Sequence, residues 1–438
     1  MKLNLLALGL ATVSMFSANL LAGETLQLKL VPERDRFLRN SPGEVVVKID
    51  LSAVAGRPKA RRTPLNLAVV LDRSGSMAGA KIEKARQAAM QLVDRLRPDD
   101  VFSLVTFSDE AQVVVPAQHV EDKDALKEKI EGVEAGGSTA LYAGVKLGAD
   151  QLDEFVSSKR INRVILLSDG LANVGPSTPR DLRRLGSRLA ERGMSVTTLG
   201  VGDDYNEDLM AGLAEASDAN YYYVQDTEKL PEIFAKELGE LMTVAVRDVR
   251  IEIICPDGVT PIGFIGRAEK FESQRAVVKL SQFLPGQDRY LFLRCRVQGE
   301  QPEVAKVNVS YTDEFDGGSV QTTTGTVRID LTDDQAASER SVNRAVYAEK
   351  ELLLTAVAKD QAMEQADGGN YAAASRILAA QNATLNAVYA AAPAAVQGQI
   401  RAETNYLSDF SDQISAGAYG GALRKTMQAQ SYNTRNSK

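Results

Sequence analysis

The stretch VVLDRSGSM, residues 69–77, decides how the rest of the chain is read. An apolar run ends in Asp72, Ser74 and Ser76 follow at alternate positions, and a helix-type pattern begins a few residues later. Asp72 offers a carboxylate and the serines offer hydroxyls, while Gly75 lets the backbone bend tightly enough for the three to converge. Hard divalent cations take such oxygen ligands. A simpler reading of the same residues is a polar strand-to-helix turn whose serines cap the helix.

Working outward, residues 63–243 switch repeatedly between two periods. Continuous apolar runs at 67–71, 101–107, 163–167 and 194–201 read as buried strands. Between them lie helix patterns near 80–96, 123–130, 139–152, 179–192 and 207–216, with a last one at 229–241. Buried strands alternating with amphipathic helices predict a doubly wound, mainly parallel α/β sheet covered on both faces. Ligands of such sheets gather at the carboxyl ends of the strands, where Asp72 stands.

Two further loops carry matching chemistry. GGST, residues 136–139, joins a glycine-rich loop to a hydroxyl, and the apolar run 164–167 leads into Ser168, Asp169 and Gly170. Magnesium wants near-octahedral oxygen coordination and commonly keeps open positions for water or a ligand. The three loops together resemble the von Willebrand factor A domain and its metal-ion-dependent adhesion site. The DxSxS element is met by Asp72, Ser74 and Ser76, the later threonine by Thr139 and the later aspartate by Asp169. Ser138 stands next to Thr139 and offers the same group. The phrases LNLAVVLDRSGSM and VILLSDG are similar to bacterial and inter-alpha-trypsin-inhibitor heavy-chain-like members. The resemblance implies a Mg²⁺ site, or Mn²⁺ or Ca²⁺, completed by a carboxylate of a protein partner. It also implies that ligand binding is linked to the domain's last helix, here 229–241.

The flanks differ in character. Residues 23–60 hold strand-like segments too short for a sheet of their own, and 245–332 read as all-β, so the two are expected to form one β-sandwich with the α/β domain inserted in it or flanked by it. The Pro-containing basic patch 57–62 reads as a linker. Residues 334–426 are Ala-rich and helical, expected as a plain helical hairpin against the sandwich, and 427–438 as a flexible polar tail. Residues 1–22 resemble a secretory signal, with Lys2, an apolar segment and the small Ala22 before Gly23, which predicts a periplasmic or secreted protein with no integral membrane segment in the mature chain. In that oxidising space Cys255 and Cys295, each on the apolar parity of a strand, are expected to form a disulfide.

Composition narrows the function. A net charge of -7 in 438 residues leaves no basic excess for nucleic acid. A phospho-aspartate mechanism wants a carboxylate where Ser74 stands, and a Ser/His/Asp mechanism would have to use His119, the chain's one histidine, read as an exposed loop residue. The expectation is a non-enzymatic, metal-dependent protein-binding module. An envelope assembly scaffold with a structural metal and a metal-dependent hydrolase are the alternatives.

Overall fold

The computed structural model describes residues 24–39, 41–55, 62–298 and 301–436. The expected signal segment and most of the basic patch lie outside the described residues.

Six strands form the α/β sheet in the order Ala111–His119, Val101–Phe107, Leu65–Asp72, Ile161–Ser168, Met194–Val201, Tyr221–Val224. Only the first of these is antiparallel to its neighbour. Every residue of Leu65–Asp72 is buried, because helices cover both faces of the sheet. Leu65, Leu67, Val69 and Leu71 pack under the helices Ala80–Arg95, Lys123–Glu131 and Leu230–Met242. Ala68 and Val70 point the other way, toward Leu141–Asp153, Pro179–Glu191 and Glu207–Ala216. That is the period-two alternation of a strand buried twice. Each fully buried Val or Leu contributes about 1.5–3 kcal/mol of transfer free energy, enough to fix the register that brings Asp72 to the carboxyl end.

The sandwich is assembled from both flanks. Leu26–Pro32 and Gly43–Ala53 share an antiparallel sheet with Asp288–Val297 and Val259–Phe264. The facing sheet holds Arg275–Phe283, Val246–Ile254, Glu303–Asp313 and Ser319–Arg328. Val45, Val47, Ile49 and Leu51 from the first meet Val249, Ile251 and Ile253 from the second in one core. The α/β domain is therefore inserted between two segments of a single sandwich, joined on one side by only Thr243, Val244 and Ala245. Cys255 and Cys295 lie in that core as expected, but as free thiols with sulfurs 3.8 Å apart. The expected bridge is not formed: parity brought the two sulfurs together without bonding them.

The C-terminal region departs from a hairpin with a loose tail. Arg344–Asp367, Tyr371–Tyr389, Ala394–Ser415 and Gly421–Asn436 pack as helices around a common core. The last one covers much of the supposed tail. Leu423, Met427, Ser431 and Tyr432 share its buried face. Its polar side chains are buried with partners: Ser431 Oγ donates to Asp360 at 2.6 Å, and Tyr432 Oη donates to the Ala219 carbonyl at 2.5 Å. Polarity had signalled solvent, whereas here it marks specific hydrogen bonds. The same helix binds the α/β domain through Arg424 and Lys425, which reach Glu207 at 2.7 and 3.0 Å. No helix among the described residues is long and apolar enough to cross a membrane.

Candidate metal centre at the carboxyl ends of the strands

Parallel strands deliver Asp72 and Asp169 side by side. Asp72 closes Leu65–Asp72, its neighbour ends at Ser168, and both carboxylates have no solvent exposure. The loop after Asp72 folds back on its carboxylate: the Ser74 amide donates to Oδ1 at 2.8 Å, and Ser168 Oγ donates to Oδ2 at 2.5 Å. Ser74 and Ser76 hydroxyls lie 3.1 Å apart, and Ser76 Oγ donates to Asp169 Oδ1 at 2.7 Å. Asp72, Ser74, Ser76 and Asp169 are thus one hydrogen-bonded chain.

Thr139 joins from the glycine-rich loop, which is stapled to the first loop by backbone bonds: Gly75 N–H to Gly137 carbonyl at 3.0 Å, and Gly136 N–H to Arg73 carbonyl at 2.6 Å. A Cβ on Gly170 would stand 2.9 Å from Thr139 Oγ1 and 3.6 Å from Ser76 Oγ. The bare backbone of Gly170 leaves room for both hydroxyls beside the residue that follows Asp169. Ser138 is engaged elsewhere, donating by both backbone and side chain to Asp109, whose carboxyl those bonds hold below the usual range.

The capping reading of these hydroxyls does not describe the structure. Ala80–Arg95 is capped at Gly79, Leu141–Asp153 at Ala140, and the short 3-10 turn Gly75–Met77 at Ser74, none with a side-chain hydrogen bond. The Ser74 and Ser76 hydroxyls are directed at each other and at Asp169 instead of at a helix end. Charge points the same way. Burial pushes the Asp72 carboxyl up, hydrogen bonds from Ser168 and Ser74 oppose this, and the neighbouring Asp169 adds to the rise. Among the described residues the countercharge in contact is one ammonium, that of Lys81, paired with Asp169 Oδ2. Two buried carboxylates against one cation leave a deficit of positive charge, which is costly in a low-dielectric site. No group of three or more His, Cys, Asp or Glu that could hold a metal occurs among the described residues. An ion held here would rest on two carboxylates supplemented by hydroxyls and water. That donor set fits a hard cation such as Mg²⁺ and lacks the thiolate or imidazole that zinc sites usually use.

Three contributors were not singled out from sequence. Lys81 sits in the first turn of a helix, where the macrodipole disfavours a cation, and that mismatch was a readable signal. Asn173 accepts the Thr139 amide at 2.9 Å and Asp109 holds Ser138; both come from irregular loops that no periodicity marks. His119 lies far from this centre. It ends the edge strand opposite Val101, at the amino end of the strands, with its ring against Phe155 at 5.6 Å. The expected loop position was one strand end too far, but the side chain is exposed as expected.

Residues 66–236 match the model of the von Willebrand factor type A domain. This stretch of the chain is a von Willebrand factor type A (vWA) domain. It is 29% identical over 272 residues to the Synechocystis protein sll0103, an alignment covering 59% of this chain and 64% of that one. It is 31% identical over 160 residues to human inter-alpha-trypsin inhibitor heavy chain H4, covering 34% of this chain and 17% of the heavy chain. The chain therefore spans less than two thirds of these curated relatives. A vWA protein from Catenulispora acidiphila shares the fold with a TM-score of 0.71 at 17% identity, covering 93% of this chain and 96% of its own. The likeness in fold thus extends beyond the vWA domain to the sandwich and helices.

Proposed function

We propose that Asp72, Ser74, Ser76, Thr139 and Asp169 bind a divalent cation, Mg²⁺ by their chemistry, and that the cation presents an open position to a carboxylate of a protein partner. The protein is then a metal-dependent interaction module, and the signal-like residues 1–22 support a periplasmic or secreted location. The single observation behind this reading is the pair of wholly buried carboxylates ringed by hydroxyls that cap no helix and countered by one ammonium. Ser76, exposed at the lip, marks the side from which a partner would approach. Lys81 pairs with Asp169, so an incoming cation would compete with its ammonium for that carboxylate. No nucleophile with an adjacent base is needed, and the chain acts by binding rather than by turnover.

The test is capture of partners from envelope extract by the full chain, in Mg²⁺ and in chelator, with wild type and Asp72→Ala side by side. Capture that requires both the metal and Asp72 supports the proposal. Equal capture under all conditions would instead favour a scaffold whose contacts lie elsewhere.

A further inference from the structure

At the opposite pole of the α/β domain, a cleft of about 1270 Å³ separates the amino ends of its strands from the outer face of the sandwich. One wall is the sheet containing Val246–Ile254 and Arg275–Phe283, in which Arg250 lies directly opposite Lys279. Val249 and Ile251 on either side of Arg250 face the sandwich core, so Arg250 and Lys279 project together from the outer face. Like charges directly opposed across a sheet cost stability. Neither side chain forms an ion pair among the described residues, although other cleft cations do, as Arg183 does with Glu215 and Arg267 with Glu269. Across the gap, Arg160 spends its guanidinium on the carbonyls of Leu65 and Asp99. Arg163, only 2% exposed, also lines the cleft and keeps its Nε donor without a partner.

We propose that this cleft binds an acidic polypeptide segment of a partner protein, with Arg250 and Lys279 as its principal charge contacts. Nine cationic and six carboxylate side chains line it, a net positive wall in a chain whose overall charge is -7. Its volume exceeds the roughly 300–1,000 Å³ of small-ligand pockets, which favours a polymer. The carboxylates interspersed in the wall repel a densely charged polyanion and suit a chain whose acidic groups are spaced out. The net negative molecule likewise repels such a polyanion at a distance. This site does not depend on the metal centre, which lies at the other end of the strands.

The experiment is fluorescence anisotropy of a labelled peptide of alternating glutamate and glycine, titrated with the full chain at low ionic strength. Binding is expected to weaken with salt and to fall about tenfold in the double variant Arg250→Gln, Lys279→Gln. Both positions lie at or near the surface, so folding is retained, and a thermal melt verifies it. Asp72→Ala is expected to bind the peptide like wild type, which separates failure here from failure of the metal proposal. No binding by wild type, equal binding by the double variant, or equal binding of a glutamine–glycine peptide would each overturn the inference. So would a sulfated oligosaccharide that binds where the peptide does not.

Discussion

Lys81→Met removes the ammonium from Asp169 while keeping an unbranched side chain of similar length. A unit-charge pair about 4 Å apart interacts by roughly 4 kcal/mol at an effective dielectric of about 20. Lys81 is 27% exposed, so its head can withdraw into water and most of that energy is screened. A residue of about 1–2 kcal/mol must be supplied by any divalent ion that takes the carboxylate from Lys81. Replacing the lysine returns that amount to the ion, so Mg²⁺ affinity is expected to rise about 5- to 30-fold. Without metal, the variant has two buried carboxylates and no countercharge in contact, so its metal-free melting temperature should fall. At roughly 2–4 °C per kcal/mol for a domain of this size, the gain on adding Mg²⁺ should exceed that of wild type by several degrees. Isothermal titration calorimetry reads the first quantity and calorimetric melts read the second. Unchanged or weaker Mg²⁺ binding, with no larger metal-induced gain, would refute the view of Lys81 as an internal competitor.

Gly170→Ala places a methyl 2.9 Å from Thr139 Oγ1. It should weaken metal binding while leaving the metal-free fold intact by circular dichroism. Gly200→Ala drives a Cβ to within 2.1 Å of the Tyr205 ring and should destabilise the domain by about 1–3 kcal/mol in denaturant titrations. If the metal centre communicates through the last vWA helix, Mg²⁺ together with an acidic ligand should change hydrogen exchange in Val246–Ile254; no change would remove that link. Burial raises the Asp367 carboxyl, but hydrogen bonds from Arg424 and Tyr419 outweigh it and leave the carboxyl below its usual value of 3.8. A depressed carboxylate stabilises above its unfolded pKa, and that stabilisation is lost as pH falls through the folded value. The last helix should therefore loosen only below about pH 4, read as faster exchange in Gly421–Asn436, and in Arg424→Met the loosening should already be present at neutral pH.

The layout of the α/β domain was legible because its strands are buried on both faces and its helices on one, which are two distinct periodicities. Asp72, Ser74, Ser76 and Asp169 were legible for a related reason: a strand end is a fixed address, and parallel neighbours deliver their ends to one place. Thr139 could be separated from Ser138 only by geometry, since both carry the same group and the choice depends on which one lies against Gly170. Lys81 escaped notice because it pairs across 88 residues of sequence, a distance over which no local pattern operates. The last helix escaped because its buried face is partly polar. Ser431 reads as a surface residue until its partner Asp360 on another helix is seen, and Gln428 is buried beside it on the same face. The cysteines show the limit of parity, which sets neighbourhood and not bonding.

The insertion of one domain into another also sets an order of events during synthesis. Gly43–Ala53 emerges well before one of its two sheet neighbours, Asp288–Val297, whose paired residues follow about 240 positions later. At about 5–20 residues per second, Val45, Val47, Ile49 and Leu51 wait some tens of seconds before their core can close. The inserted domain needs nothing from either flank to complete its own sheet, so it can finish first. Once folded, it replaces a long slack loop with a compact link and shortens the search for the missing strand. These strands are thus made well before they are secured, and throughout that interval their unpaired apolar edge is open to mispairing.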